Sequence, residues 1–286
     1  MDATVPTVAV QATALLHELS RAERQVARAL LADYPSAGLS TVAGLAEQAK
    51  VSAPTVLRFA QRLGFGGFTE LQVALREELT HRSSGPLARL LATAEAGSTL
   101  DILVRRARDQ AEGTVASLTR IPASSLDAAV ELLADTSKRI LLTGGRFSYL
   151  VAYHLGLHLE QIRPGVRLLD APQGAGLGSL IDLSRRDVLV LCDFHRFQRS
   201  AQEIALAAKR KGTPIIVITD ELASPVAPHA EVVLAVSSDA ASPYKSMTAA
   251  FLLTELLIPF VMERLGEPAR TRLALWDRTR NHELLP

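Results

Sequence analysis

The apolar residues of this 286-residue chain change their period once, close to residue 139, and that change restricts the folds open to it. Ahead of it they recur at helical spacing. From Arg139 onward five short apolar runs, R-I-L-L-T, V-R-L-L, D-V-L-V-L-C, P-I-I-V-I-T and V-V-L-A-V, alternate with helical segments at 148–162, 200–211 and 247–264. Continuous apolar runs, as opposed to alternating ones, suit strands buried on both faces, which is the condition of a parallel sheet wrapped by helices. The expected architecture is therefore an all-α N-terminal domain followed by an α/β doubly wound parallel-sheet domain, and 286 residues suffice for two cores. The segment H-R-S-S-G-P at 81–86 is the clearest break. It sets the expected limits at 1–81, a helical linker over 82–124, and 125–286.

In the first half, residues 41–65 read as helix, tight turn and helix. Val42, Leu45, Ala46 and Ala49 make one apolar face, with Thr41 placed as its cap. Ser52 is the natural N-cap of the next helix, Pro54 is tolerated in its first turn, and Val51 and Val56 stand at the positions of a hydrophobic staple. Val56, Phe59, Ala60 and Leu63 then face inward and Gly64 stops the helix, which leaves Thr55, Arg58 and Arg62 on the other side. No acidic residue occurs from Gln48 to Thr69, so Lys50, Arg58 and Arg62 give this window a cationic surface suited to a polyanion. A helix of this kind enters the major groove N-terminus first. The expected DNA contacts are Lys50, Ser52, Thr55, Arg58 and Arg62, and the alternative is an ordinary αα-hairpin with a solvated basic face. A capping box from Ser20 to Glu23 opens an earlier helix carrying Val26, Ala29, Leu30 and Tyr34, and Pro35 ends it. The turn G-F-G-G-F at 64–68 leads into a further helix over 69–80, giving about five helices in all.

Net charge is +1 and the pI is near 8.0, so any nucleic-acid surface must be local. Cys192 is the only cysteine, which excludes an intramolecular disulfide and a cysteine-rich zinc module and suits a reducing cytoplasm. No apolar run approaches a membrane span, and the N-terminus lacks the basic start of a secretory signal, so a cytoplasmic location is expected. Val104, Ala107, Ala111, Thr114 or Val115, and Leu118 follow a near-heptad pattern that needs a partner, either the second domain or a second copy of the chain.

Ligands of doubly wound sheets bind beyond the carboxyl ends of the strands, which singles out the loops 144–148, 193–200, 219–224 and 242–246. Gly144, Gly145, Arg146 and Ser148 open a helix where free N–H groups favour an anion, or else form a plain glycine turn. The loop from Asp193 through His195 and Arg196 to Ser200 is the most polar one, suited to recognition or simply solvated. The glycine-rich 173–178 reads as a flexible loop. His154 and His158 are spaced i, i+4 but lack a third ligand in sequence, Cys192 reads as an inert buried thiol, and neither a dinucleotide fingerprint nor a G-x-S-x-G elbow is present. No metal, cofactor or catalytic residue is expected.

Taken together, L-S-R-A-E-R-Q-V-A, L-A-E-Q-A-K-V-S-A-P-T-V-L-R-F, L-G-F-G-G-F-T-E-L-Q, T-G-G-R-F-S and G-T-P-I-I-V-I-T-D-E-L-A-S-P-V-A resemble the RpiR-type family of bacterial transcription regulators, which join a helix-turn-helix domain to a SIS (sugar isomerase) domain. The resemblance places Ser52, Thr55 and Arg58 at recognition-helix positions, Lys50 where many members have Gly, and Ser148 at a ligand serine, with Arg146 at the second glycine position. It departs after the third strand, where phosphosugar-binding members carry S-x-S-G-x-T/S and this chain has D-F-H-R-F-Q-R-S. The implied protein is a regulator, not an enzyme. It would bind a palindromic operator in duplex DNA, form a homodimer or homotetramer, and sense a small anionic metabolite such as a phosphosugar. The competing implications are a sugar-phosphate isomerase using Asp193 or His195 as general base, and a degenerate SIS domain kept for dimerisation.

Overall fold

The computed structural model describes residues 7–83, 97–169, 177–194, 197–220, 224–240 and 242–280. The chain divides into two compact units, Met1–Ala88 and Arg89–Pro286.

The first unit holds six helices among the described residues, one more than expected: α1 (Val8–Ala14), α2 (Arg21–Ala32), α3 (Ser36–Leu39), α4 (Val42–Gln48), α5 (Ala53–Arg62) and α6 (Phe68–Ser83). Val26, Leu30, Leu45, Val56, Phe59, Leu71 and Leu75, from α2, α4, α5 and α6, meet in one core. The capping box of Ser20 and Glu23 is formed, and the Thr41 hydroxyl accepts from Gly44 N. Both α4 and α5 end in the same hydrogen-bonded motif. Val51 N donates to Ala46 O and Lys50 N to Glu47 O after α4, while Phe65 N donates to Ala60 O and Gly64 N to Gln61 O after α5. The left-handed position of that motif is glycine in the second case (φ 92°) and Lys50 in the first (φ 55°).

The second unit is a five-stranded, wholly parallel sheet of order β2-β1-β3-β4-β5, made of β1 (Arg139–Gly144), β2 (Val166–Leu168), β3 (Asp187–Asp193), β4 (Ile215–Thr219) and β5 (Val232–Ala235). All five apolar runs form strands. The helices are α7 (Thr99–Leu118), α8 (Ala123–Ala134), α9 (Ser148–Ile162), α10 (Leu177–Ile181), α11 (Arg199–Arg210), α12 (Thr248–Leu265) and α13 (Glu267–Arg280). Because side chains alternate along a strand, Ile140, Leu142, Val188, Val190, Ile216 and Ile218 pack with α8, α9 and α12, while Leu141, Leu189, Leu191, Ile215 and Val217 pack with α11. Every residue of β3 is buried, which accounts for its unbroken apolar run. The order reverses between β1 and β3, so the loops following those two strands flank the topological switch point.

The face α7 buries shares only its C-terminal part with the expected stripe. It packs on α12, but through Thr114 and Ser117, with the Ser117 hydroxyl accepting from Ser237 N. Val104 and Val115 remain 50% and 60% exposed, and Leu100 and Leu103 lie on the surface with them. Small hydroxyl residues allow the close approach, and of the expected stripe only Thr114 and Leu118 pack on the unit's core.

Candidate functional site

The first candidate surface is built on α4 and α5. Leu45, Val56, Phe59 and Ala60 anchor the pair inward, which leaves Ser52, Pro54, Leu57, Arg58, Gln61 and Arg62 exposed along α5. Thr55 departs from its expected outward position. It is 4% exposed, and its hydroxyl bonds with the Ser52 hydroxyl at 3.0 Å and accepts from an Arg58 terminal nitrogen at 3.1 Å. Thr55 and Phe59 are spaced i, i+4, so the buried face is a wide stripe that takes in Thr55. Ser52 holds the N-cap position without a capping bond from its side chain, because its hydroxyl is turned to Thr55. The Thr55 hydroxyl thus orients Arg58 instead of facing outward.

Arg62 reaches Glu18 O at 3.5 Å. The Glu23 carboxyl is held below its usual range, first by the Ser20 hydroxyl bond and further by the charges of Arg62 and Arg58. The window free of acids in sequence is therefore not free of them in space, since α2 brings a carboxylate close. Arg58 and Lys50 remain exposed. Leu57, 42% exposed, was missed by reading only charges and hydroxyls. Its spacing of i, i+4 from Ala53 to Gln61 was the available signal, and an apolar side chain there suits a thymine methyl group.

The second candidate surface lies at the switch point. Gly144 closes β1 where no side chain fits, since a Cβ there would come within 2.7 Å of Tyr149 N. Ser148 begins α9, and its buried hydroxyl accepts from Gly145 N at 2.8 Å and donates to Cys192 O at 2.7 Å. That serine joins the β1 loop to the end of β3. The Gln198 side-chain amide lies over Gly145, where a Cβ would stand 3.2 Å from it, so the glycine face is covered by the chain itself. Arg146 is exposed, its guanidinium carbon 5.5 Å from the centre of the Phe147 ring.

Asp193 is 2% exposed at the end of β3, where its carboxylate accepts from the Ser224 hydroxyl at 3.3 Å. Burial lifts its pKa to about 7, against the lowering effect of the Ser224 and Gln198 N–H bonds, and the charge of Asp220 adds to the rise. Thr143, next to the last residue of β1, and Thr219, the last of β4, are both buried on the same sheet face, and the Thr143 hydroxyl has no partner among the described residues. Sequence reading named Asp193 and the loop 219–224 but not the Thr143 and Thr219 hydroxyls, because these sit at the ends of apolar runs. Ser200 lies half-buried in the first turn of α11, and Arg199 beside it pairs with Glu203 at 3.3 Å. His195 and Arg196 lie outside the described residues, as do 84–86, 173–176 and 221–223 of the loops considered above.

His154 Nε2 lies 3.3 Å from His158 Nε2 and 3.7 Å from Glu255, and its Nδ1 meets the Thr254 hydroxyl. Burial first, then the neighbouring His158, lowers the His154 pKa. Cys192 is fully buried with its thiol pKa raised by burial, which leaves it unreactive. Among the described residues no helix is long and apolar enough to cross a membrane.

Residues 8–82 match the rpiR-family helix-turn-helix domain, and residues 133–259 match the SIS domain. HexR, a helix-turn-helix transcriptional regulator of Pseudomonas aeruginosa, is 42% identical over 64 residues, 22% of each chain, so this match spans about a fifth of that relative. YfhH of Escherichia coli, an uncharacterised helix-turn-helix transcriptional regulator, is 27% identical over 205 residues, 70% of this chain and 71% of its own. The structure of Vibrio vulnificus NanR complexed with ManNAc-6P covers 97% of this chain and 99% of its own, with a TM-score of 0.56 and 19% identity, which is a likeness of fold. An rpiR-type helix-turn-helix domain followed on one chain by a SIS domain places this protein in the RpiR-type family of transcription regulators.

Proposed function

We propose that the protein is a cytoplasmic, non-enzymatic transcription regulator that binds a palindromic operator through α5 and responds to a small anionic metabolite at the switch point of its sheet. Residues 1–81 serve as the DNA-binding domain, 82–124 as a helical connection, and 125–286 as the effector and dimerisation domain. The observation that carries the reading is the exposed face of α5, on which Arg58 is held by the Thr55 hydroxyl beside Ser52 and Leu57. Such a face supplies both a base-reading group and an apolar contact, while Lys50 and Arg62 at its ends supply phosphate neutralisation. The test is selection of bound sequences from random duplex DNA, followed by anisotropy titrations. A two-fold symmetric site is expected, and Arg58→Ala should weaken it by about 1–3 kcal/mol.

At the effector loops, Ser148 and Gly145 are engaged within the chain. A ligand would displace Gln198 from Gly145 and take over the Gly145 N–H from the Ser148 hydroxyl, near Gly144, Arg146, Ser200 and Asp193, and His195 and Arg196 are proposed as further contacts. A protonated Asp193 donates a hydrogen bond to an anion and an ionised one repels it, so affinity for the effector should fall as pH rises through about 7. ManNAc-6P, present in the NanR structure, and glucose 6-phosphate are the first ligands to try by calorimetry.

Asp193 also supports a second reading, because a carboxyl with a pKa of about 7 at this position could serve as the general base of an isomerase. Deuterium uptake from solvent into a sugar phosphate would favour that enzyme. Absence of both turnover and binding would leave the SIS domain with dimerisation alone.

A further inference from the structure

The opposite end of the sheet holds an independent feature. A cavity of about 250 Å³ opens where β1 and β2 begin, floored by Leu141 and Val166 and edged by Arg139, Arg167, Ser179 and Asp182. It lies at the amino-terminal ends of these strands, away from the loops at their carboxyl ends.

Its polar groups are unevenly used. Asp187 is fully buried and saturated, taking Arg139 Nε on one oxygen at 2.6 Å and the Ser184 N–H and hydroxyl on the other at 2.9 Å each. That bond fixes the Arg139 guanidinium by its Nε, while the side chain stays 59% exposed. The side chain of Arg167, register partner of Leu141 on the edge strand, has no hydrogen bond or ion pair among the described residues. The Ser179 hydroxyl oxygen is buried and has no partner among the described residues, and a buried hydroxyl without a partner is a cost that native structures seldom leave unexplained. Lys138, Arg185 and Arg186 lie along the same edge, Lys138 bonded to Arg185 O, which makes the surroundings cationic.

We propose that this cavity is a second ligand site, which takes a small hydroxylated oxyanion between Arg139 and Arg167. The two arginines bind the oxyanion through charge-assisted bonds, the Ser179 hydroxyl donates to it, and the exposed Asp182 carboxylate accepts from a hydroxyl on the ligand. Asp182 also disfavours a bare polyanion. The cavity lies at the lower end of metabolite-binding volumes, so the ligand is a phosphate monoester or hydroxy acid of a few carbons and not a nucleotide. The inference does not depend on the effector reading of the switch-point loops.

The test is calorimetry on the full chain with glycerol 3-phosphate, glycerate and sodium chloride at matched ionic strength. One of the two organic anions is expected to bind saturably, and which one does so distinguishes phosphate from carboxylate. Arg167→Ala and Ser179→Ala should each weaken that binding at least about tenfold. Ser179→Ala should leave the melting temperature without ligand unchanged or raised, because its hydroxyl has no partner to lose. The proposal is overturned if neither anion binds by about 10 mM, a weak affinity for so small a ligand, if chloride gives the same heat, or if both variants bind like the parent.

Discussion

Lys50 concentrates two demands on one position. Its φ of 55° lies in the region that glycine occupies freely and a lysine enters at a cost of roughly 1–2 kcal/mol. Lys50→Gly should therefore stabilise the protein by about 0.5–1 kcal/mol in urea unfolding, after allowance for the added freedom of the unfolded chain. If the lysine meets a phosphate, the same variant should lower the salt slope of DNA binding by about 1. Asp193 makes the second test at this scale. Its pKa is about 7 when folded against an ordinary 3.8, so the folded chain keeps a proton that the unfolded chain releases between those values. Stability should therefore decline as pH rises from about 4 to about 7 and level off above, and Asp193→Asn should remove that decline, a difference on the order of a few kcal/mol. Thr55 shows where residue-level reading stops. Its hydroxyl marked it as a DNA contact, whereas a residue four before Phe59 shares a buried face with it, and only packing reveals that this hydroxyl holds Arg58.

At the level of elements, the five strands were legible because each is built on a short apolar run, and the helix-turn-helix was legible because caps, staple and stop are local. The misses share a cause. α13 has few apolar residues among its arginines, and its inward anchor, Ala269, is too small to register as a pattern. The stripe on α7 packs through Thr114, with Ser117 beside it, while its apolar members Val104 and Val115 stay exposed. The switch-point loops were located correctly by the strand order they follow, but their closure by Gln198 and Ser148 is a matter of three-dimensional contact. Arg163 is another element-level device that no pattern indicates. Fully buried, its guanidinium donates to the carbonyls of Leu133, Lys138 and Pro164, tying the end of α8 to the start of β1. Arg163→Ala should lower stability by about 3 kcal/mol or more, because it leaves buried carbonyls without donors and opens a cavity. The urea midpoint reports the change.

Across the whole molecule, the proposed function gives the two units separate tasks joined by two-fold symmetry. On that proposal a single α5 would read few base pairs, and a two-fold pair of them would read a palindrome with half-sites about 34–36 Å apart. We propose that the exposed Phe147, Leu150 and Leu157 on and beside α9, and Leu256 and Phe260 on α12, meet a second copy. Light scattering should give a dimer or tetramer, and Leu150→Glu with Phe260→Glu should yield monomers with a weaker operator affinity. The measurement closest to the central claim is anisotropy of the full chain on its selected operator and on scrambled duplex, across a salt series, for the parent and Arg58→Ala. The account predicts that Arg58→Ala loses about 1–3 kcal/mol on the operator and much less on scrambled DNA, so that specificity falls along with affinity. Equal affinities of parent and variant on the operator at every salt concentration would contradict it and place DNA recognition outside α5.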